Sequence, residues 1–223
     1  MDKLTAEILP YAIAVALSPM PIAALLLMLL SKRARINSVM FTVGWIAGLA
    51  VLVLAVTFLV GESAHTVRHD TGFDPKTIID FVLGIVLLLF ALKEWKSRSK
   101  AGKIPHMPKW MRAIESFSPI KALMIGFLLA TLNLKNTPMG ITVGAAISEL
   151  AHTTAQQTAG IIIYLILASC TITIPAIGFL LLGKRLQKTL ESLKSWLIGN
   201  NATIMFVLFL ILGVSLISKA FGN

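Results

Sequence analysis

Of the 223 residues, 57% are hydrophobic and only 13% charged, with a net charge of +10 and a mean hydropathy of +0.85. A soluble domain of that length cannot bury so much apolar surface, so a polytopic membrane protein is expected. The lone Cys170 excludes a disulfide framework, a zinc-type spacing and a CxxC redox pair, and the basic residues fall in short blocks between apolar stretches, which excludes a nucleic-acid-binding face.

Six transmembrane helices are predicted, over 4–30, 37–60, 76–97, 120–147, 157–182 and 199–220. Each has about 20 residues or more, enough to cross a hydrocarbon core of about 30 Å. In the first span Ala14-Val15-Ala16 resembles a signal-peptide cleavage site, but the apolar run continues through Leu30, so an uncleaved span is expected. Within it stands Ser18-Pro19-Met20-Pro21. Prolines at 19 and 21 remove amide donors, which predicts a broken helix with the carbonyls of Val15 and Leu17 freed.

The first loop is basic through Lys32, Arg33 and Arg35, and the second span carries Gly44-x3-Gly48 as the fourth carries Gly140-x3-Gly144, a spacing that lets helices of one chain approach closely. Such stripes are also compatible with a homo-oligomer. In the second loop His65-x3-His69, with Glu62 and Asp70 nearby, is the one conceivable metal pair, and its loop position fits an ordinary polar turn better. The third loop, 98–119, holds Pro105 and Pro108, then Trp110, Met111, Ile114 and Phe117 with Lys109 and Arg112 between them. An amphipathic helix on the membrane surface and a solvated basic linker both fit that pattern.

The fourth span reads Asn133-Leu134-Lys135-Asn136-Thr137-Pro138-Met139-Gly140. Pro138 predicts a second broken helix and a freed Leu134 carbonyl. Lys135 is the charge deepest in any span, at a cost of about 2.5–3.5 kcal/mol on insertion scales. Two readings stay open for it: contact with substrate or protons, and a purely structural tie for the freed carbonyls. Ser18 and Thr137 have a structural alternative as well, since hydroxyls beside membrane prolines bond back to their own helix. In the fifth span Thr171, Thr173 and Pro175 mark a kink that is expected to line the path. Gly178 to Lys184 spells GxxxxGK, but Arg185 replaces the required Ser or Thr and no strand precedes it, so a phosphate-binding loop is not expected. The spans contain neither a Ser/His/Asp arrangement nor paired carboxylates, so neither an enzyme nor a cofactor is predicted.

Loops one, three and five hold most of the lysines and arginines, which puts them in the cytoplasm and both termini outside. Ser18-Pro19-Met20 and Thr137-Pro138-Met139 occupy matching positions in two halves of three spans each. An odd number of spans per half makes the second copy inverted. The expected fold is therefore all-α, six transmembrane helices as two inverted three-helix repeats with broken helices 1 and 4. The divisions are 1–97, a basic linker 98–119, and 120–223. The two breaks would meet at the midplane, where Lys135, Asn133, Asn136, Ser18, Pro19, Pro21, Thr137 and Pro138 form an anion-friendly substrate site.

Residues 16–48, ALSPMPIAALLLMLLSKRARINSVMFTVGWIAG, resemble the first signature of the GAP family, which includes sulfolipid- and glycopeptidolipid-addressing proteins and belongs to the LysE-type exporter superfamily. A second signature there is similar to Asn-Pro-Lys-Asn; here Asn133, Lys135 and Asn136 match and Leu134 departs. The resemblance implies a six-span carrier of the bacterial cytoplasmic membrane tied to lipid export. The expected function is a secondary transporter, an exporter or flippase that moves an anionic small solute or lipid headgroup by alternating access, coupled to protons. A non-transporting scaffold of a lipid-export machine and a metal-cation exporter are the alternatives. The expected partners are the bilayer and that anionic substrate.

Overall fold

The computed structural model describes residues 2–63, 75–97, 117–133 and 136–221. Leu134, Lys135, the His65/His69 pair and the proposed surface helix of the third loop lie outside the described residues. Among the described residues all regular structure is helical: α1 (Asp2–Ala16), α2 (Pro19–Leu29), α3 (Ala34–Ser63), α4 (Pro75–Ser97), α5 (Pro119–Thr131), α6 (Asn136–Leu150), α7 (Thr154–Leu182), a short 3₁₀ turn (Gly183–Leu186) and α8 (Gln187–Phe221).

Three described stretches are long and apolar enough to cross a membrane: Ala34–Leu59, Thr154–Leu182 and Gln187–Ser218. A fourth crossing results if α1 and α2, bent by 48° at their junction, are one broken span. Helix starts follow local chemistry. Ser118 caps α5 by accepting from the Lys121 amide at 3.4 Å, with Pro119 at the first helical position. Thr153 accepts from the Gln156 amide at 3.2 Å while the Gln156 side chain accepts from the His152 amide at 2.9 Å, close to a capping box.

One boundary differs from expectation. α8 begins at Gln187, not at 199, and takes up most of what reads as a fifth loop. Hydropathy misses this turn because Lys188, Glu191 and Lys194 are charged. Helical spacing nevertheless ties it together: Gln187 donates to the Glu191 carboxylate at 3.1 Å, and the Ser195 hydroxyl donates to the Glu191 carbonyl at 3.0 Å.

The chain divides into two compact units, Met1–Thr66 with His106–Trp196, and Val67–Pro105 with Leu197–Asn223. In the first, α3 packs along α5 and α6, and α7 packs on α1, α2 and α3. The α3–α5 contact is backbone on backbone. A Cβ on Gly44 would collide with the Leu123 carbonyl, and one on Gly126 with the Phe41 carbonyl. Gly48 lies against Phe127 and Ala130 of α5, and Gly140 and Gly144 lie against Leu52 and Val56 of α3. The two small-residue stripes thus join helices of one chain, as expected. Thr57 adds a buried bond across the α3–α6 contact, donating to the Gly144 carbonyl at 3.2 Å.

The second unit pairs α4 with the Leu197–Phe221 part of α8. Gly84 and Gly213 let the two approach, and rings close the seam at three levels: Phe81 with Phe221 (5.5 Å), Phe90 with Phe209 (5.8 Å) and Trp95 with Phe206 (4.7 Å). Residue numbers rise on one helix as they fall on the other, so the pair is antiparallel.

Candidate functional site

The first break follows from the residue before a proline avoiding helical geometry. Ser18 is extended (φ −71°, ψ 110°), and α2 starts at once with Pro19. Both Pro19 and Pro21 lie in the first turn of α2, where missing amides cost nothing because those donors have no helical acceptor anyway. The prolines therefore open a helix; they do not interrupt one. The expectation of a free Val15 carbonyl is corrected: it accepts from the Ser18 amide at 3.1 Å. The next carbonyl, Ala16, accepts from the Thr171 hydroxyl of α7. Ser18 itself is 2% exposed, and its side chain makes no capping bond. α2 is enclosed almost all round, with Pro19, Pro21 and every residue from Ile22 to Leu29 buried.

The second break is closed by its own neighbours. α5 ends at Thr131 and α6 begins at Asn136, so Pro138 again falls in a first turn. The Asn136 side-chain amide donates to the Leu129 carbonyl at 3.2 Å. The Thr137 hydroxyl is shared between the carbonyls of Thr131 (2.6 Å) and Asn133 (2.9 Å). Of the two readings open for Thr137, the geometry provides the bond back to the helix. Asn136 is fully buried and its Oδ1 has no hydrogen-bond partner among the described residues.

The two breaks share one unit and, by helix geometry, one level. α1 packs on α6 and α2 touches α5, so the helix before each break lies beside the helix after the other. A Cβ on Gly160 would meet Leu4 at 3.1 Å and Ile147 at 3.4 Å, which sets the start of α1 level with the end of α6. From there Ala16 and Asn136 each lie about 17 Å along their helices. Ser18, Pro19 and Pro21 are thereby brought to the level of Asn136, Thr137 and Pro138, with Asn133 half-buried just before them.

Thr171 and Tyr164 of α7 also belong to this region; the sequence marks Thr171 as part of a kink on the path and does not single out Tyr164. Thr171 ties the first break. Tyr164 is fully buried, its hydroxyl lies 3.9 Å from where a Cβ on Gly140 would stand, and it has no partner among the described residues. A signal for it existed. It is one of only two tyrosines, both in apolar spans, and a phenol in such a setting requires a polar neighbour. Ser169 Oγ is likewise buried and unpartnered among the described residues.

Chemically, the region offers acceptor and hydroxyl groups at Asn136, Tyr164 and Ser18 inside an apolar bundle. Among the described residues no group of three or more metal-ligating side chains occurs. The family model described as Sap, sulfolipid-1-addressing protein, matches residues 8–221. No curated protein and no solved structure matches the chain.

Proposed function

The chain belongs to the sulfolipid-1-addressing protein family, and from that premise we propose that it takes part in lipid export as a secondary transporter, moving an anionic lipid headgroup or small anionic solute outward by alternating access. One observation carries this reading: two helix breaks lie side by side at one level within one unit. Irregular backbone at membrane depth is tolerated where it is buried in protein or lines a path for solute, and paired breaks mark binding sites in carriers.

In this proposal Lys135 neutralises the anion and exchanges the coupling proton. Asn133 and the second amide hydrogen of Asn136 donate to the anion, and the Ser18–Pro21 junction forms the opposite wall. Thr137 and Pro138 hold the second break open. Both termini face outward across a bacterial cytoplasmic membrane, and the six spans form two inverted repeats of the LysE type.

The test is reconstitution in vesicles under an imposed proton gradient with a fluorescent lipid of anionic headgroup. Wild-type protein should move it, and Lys135→Ala should slow the movement at least about tenfold with thermal unfolding unchanged. Equal rates would remove Lys135 from the mechanism. Vesicles that move no lipid or solute, from protein that co-purifies with a larger pump, would favour the scaffold reading instead.

A further inference from the structure

A second polar feature lies away from the helix breaks, where the apolar run of α2 ends. The turn between α2 and α3, with the first residues of α3, reads Leu30-Ser31-Lys32-Arg33-Ala34-Arg35-Ile36. It is pinned along its length. The Ser31 hydroxyl donates to the Met28 carbonyl at 2.7 Å, and the Asn37 amide donates to the Arg33 carbonyl at 3.0 Å. The Ser38 hydroxyl donates to the Arg35 carbonyl at 3.1 Å, and the Asn37 side chain reaches the Phe117 carbonyl at 2.9 Å. Three exposed cations thus project from a preset backbone.

Between this turn and the end of α7 lies an open cavity of about 750 Å³, lined on one side by Leu29 to Ile36 and on the other by Phe179, Gly183 and Gln187. That size falls among small-molecule sites, about 300–1,000 Å³. Among the described residues its lining contains no acid. Among the described residues no carboxylate pairs with Lys32, Arg33 or Arg35, and Glu191, the acid one turn beyond Gln187, accepts from Gln187.

The walls decide what kind of anion fits. Leu29, Leu30 and Phe179 give the cavity an apolar floor. At its edge Ile36 is 47% exposed, and next to Gly183 in the chain Leu181 is 79% and Leu182 51% exposed, apolar surface of the kind that faces lipid at the end of a membrane-length helix. Cations directly at the edge of an apolar surface match the boundary between headgroups and acyl chains, where each Lys or Arg attracts anionic lipid.

We propose that this cavity binds the phosphate of an anionic bilayer phospholipid. Lys32, Arg33 and Arg35 supply charge-assisted hydrogen bonds to its oxygens, and Ile36 and Phe179 receive the first part of its chains. The site is separate from the helix breaks and does not depend on what, if anything, they transport.

The experiment is equilibrium binding to the purified full-length protein, read by native mass spectrometry after exchange into detergent doped with phosphatidylglycerol or phosphatidylcholine. The expected result is preferential retention of phosphatidylglycerol. The combined Lys32→Gln, Arg33→Gln and Arg35→Gln variant should lose it about tenfold or more, while combined Lys93→Gln, Lys188→Gln and Lys194→Gln should change it less than about twofold. Ile36→Gln, which keeps all three cations and adds no charge, should weaken lipid binding as well. Equal loss in both triple variants would reduce the effect to overall charge and overturn the proposal. Displacement of the lipid by millimolar inorganic phosphate, with Ile36→Gln silent, would make this a site for free anion and also overturn it. Because transport is not measured, a failed flippase assay leaves this result unaffected.

Discussion

The two helix breaks begin from nearly the same local sequence, a hydroxyl residue followed by Pro-Met, and are stabilised in opposite ways. The first depends on a distant helix: Thr171 of α7 donates to Ala16, 155 positions away in sequence. The second is tied within its own chain: Asn136 and Thr137 of the new helix cap Leu129 and Thr131 of the old one. A break held from outside is sensitive to movement of its partner, whereas a break capped by its own chain keeps its geometry wherever that chain goes. Similar motifs in two halves therefore do not imply equal mechanical roles.

Substitutions can break this comparison or sharpen it. Asn136→Ala carries the largest expected effect, a loss of about 2–3 kcal/mol, because it leaves the Leu129 carbonyl unpaired and opens a void at a fully buried position. Thermal unfolding of the purified protein in detergent measures it; a loss no larger than that of a surface substitution would mean the second break does not rely on its own caps. Thr171→Val should cost less, about 1–2 kcal/mol. Its signature is local: hydrogen exchange should quicken at the amides of Leu17 and Ser18 and stay unchanged at Thr137. Faster exchange at both breaks would erase the distinction. Ser18→Ala should cost less than about 0.5 kcal/mol, since its hydroxyl caps nothing in α2. If it destabilises as much as Thr171→Val, the first break is held from within after all.

Much of the architecture is legible in the residues. Apolar runs mark the helices, Ser18-Pro19 and Thr137-Pro138 mark the junctions, and the spacing of Gly44, Gly48, Gly140 and Gly144 marks where helices touch. What is not legible has a common cause. A proline that starts a helix and one that breaks a helix look alike in a window of ten residues, because the difference lies in which amide reaches Val15. Thr171 reads as part of a kink because nothing near it in sequence names Ala16 as its acceptor. The early start of α8 is hidden by its charges, although Gln187, Glu191 and Ser195 stand at helical spacing. At the site, Asn136 and Thr137 read as donors awaiting a ligand, yet part of that capacity already goes to the end of α5.

Gly44 and Gly126 bear on how the chain is able to rearrange. Helices that meet through side chains slip past one another as rotamers readjust, but α3 and α5 have no such cushion, and a shift of one along the other drives carbonyl oxygen into carbon. The two travel as a single plank. Any motion within this unit then has to bend at joints instead of sliding along seams, and the extended residue at Ser18, where α1 and α2 meet at 48°, is such a joint.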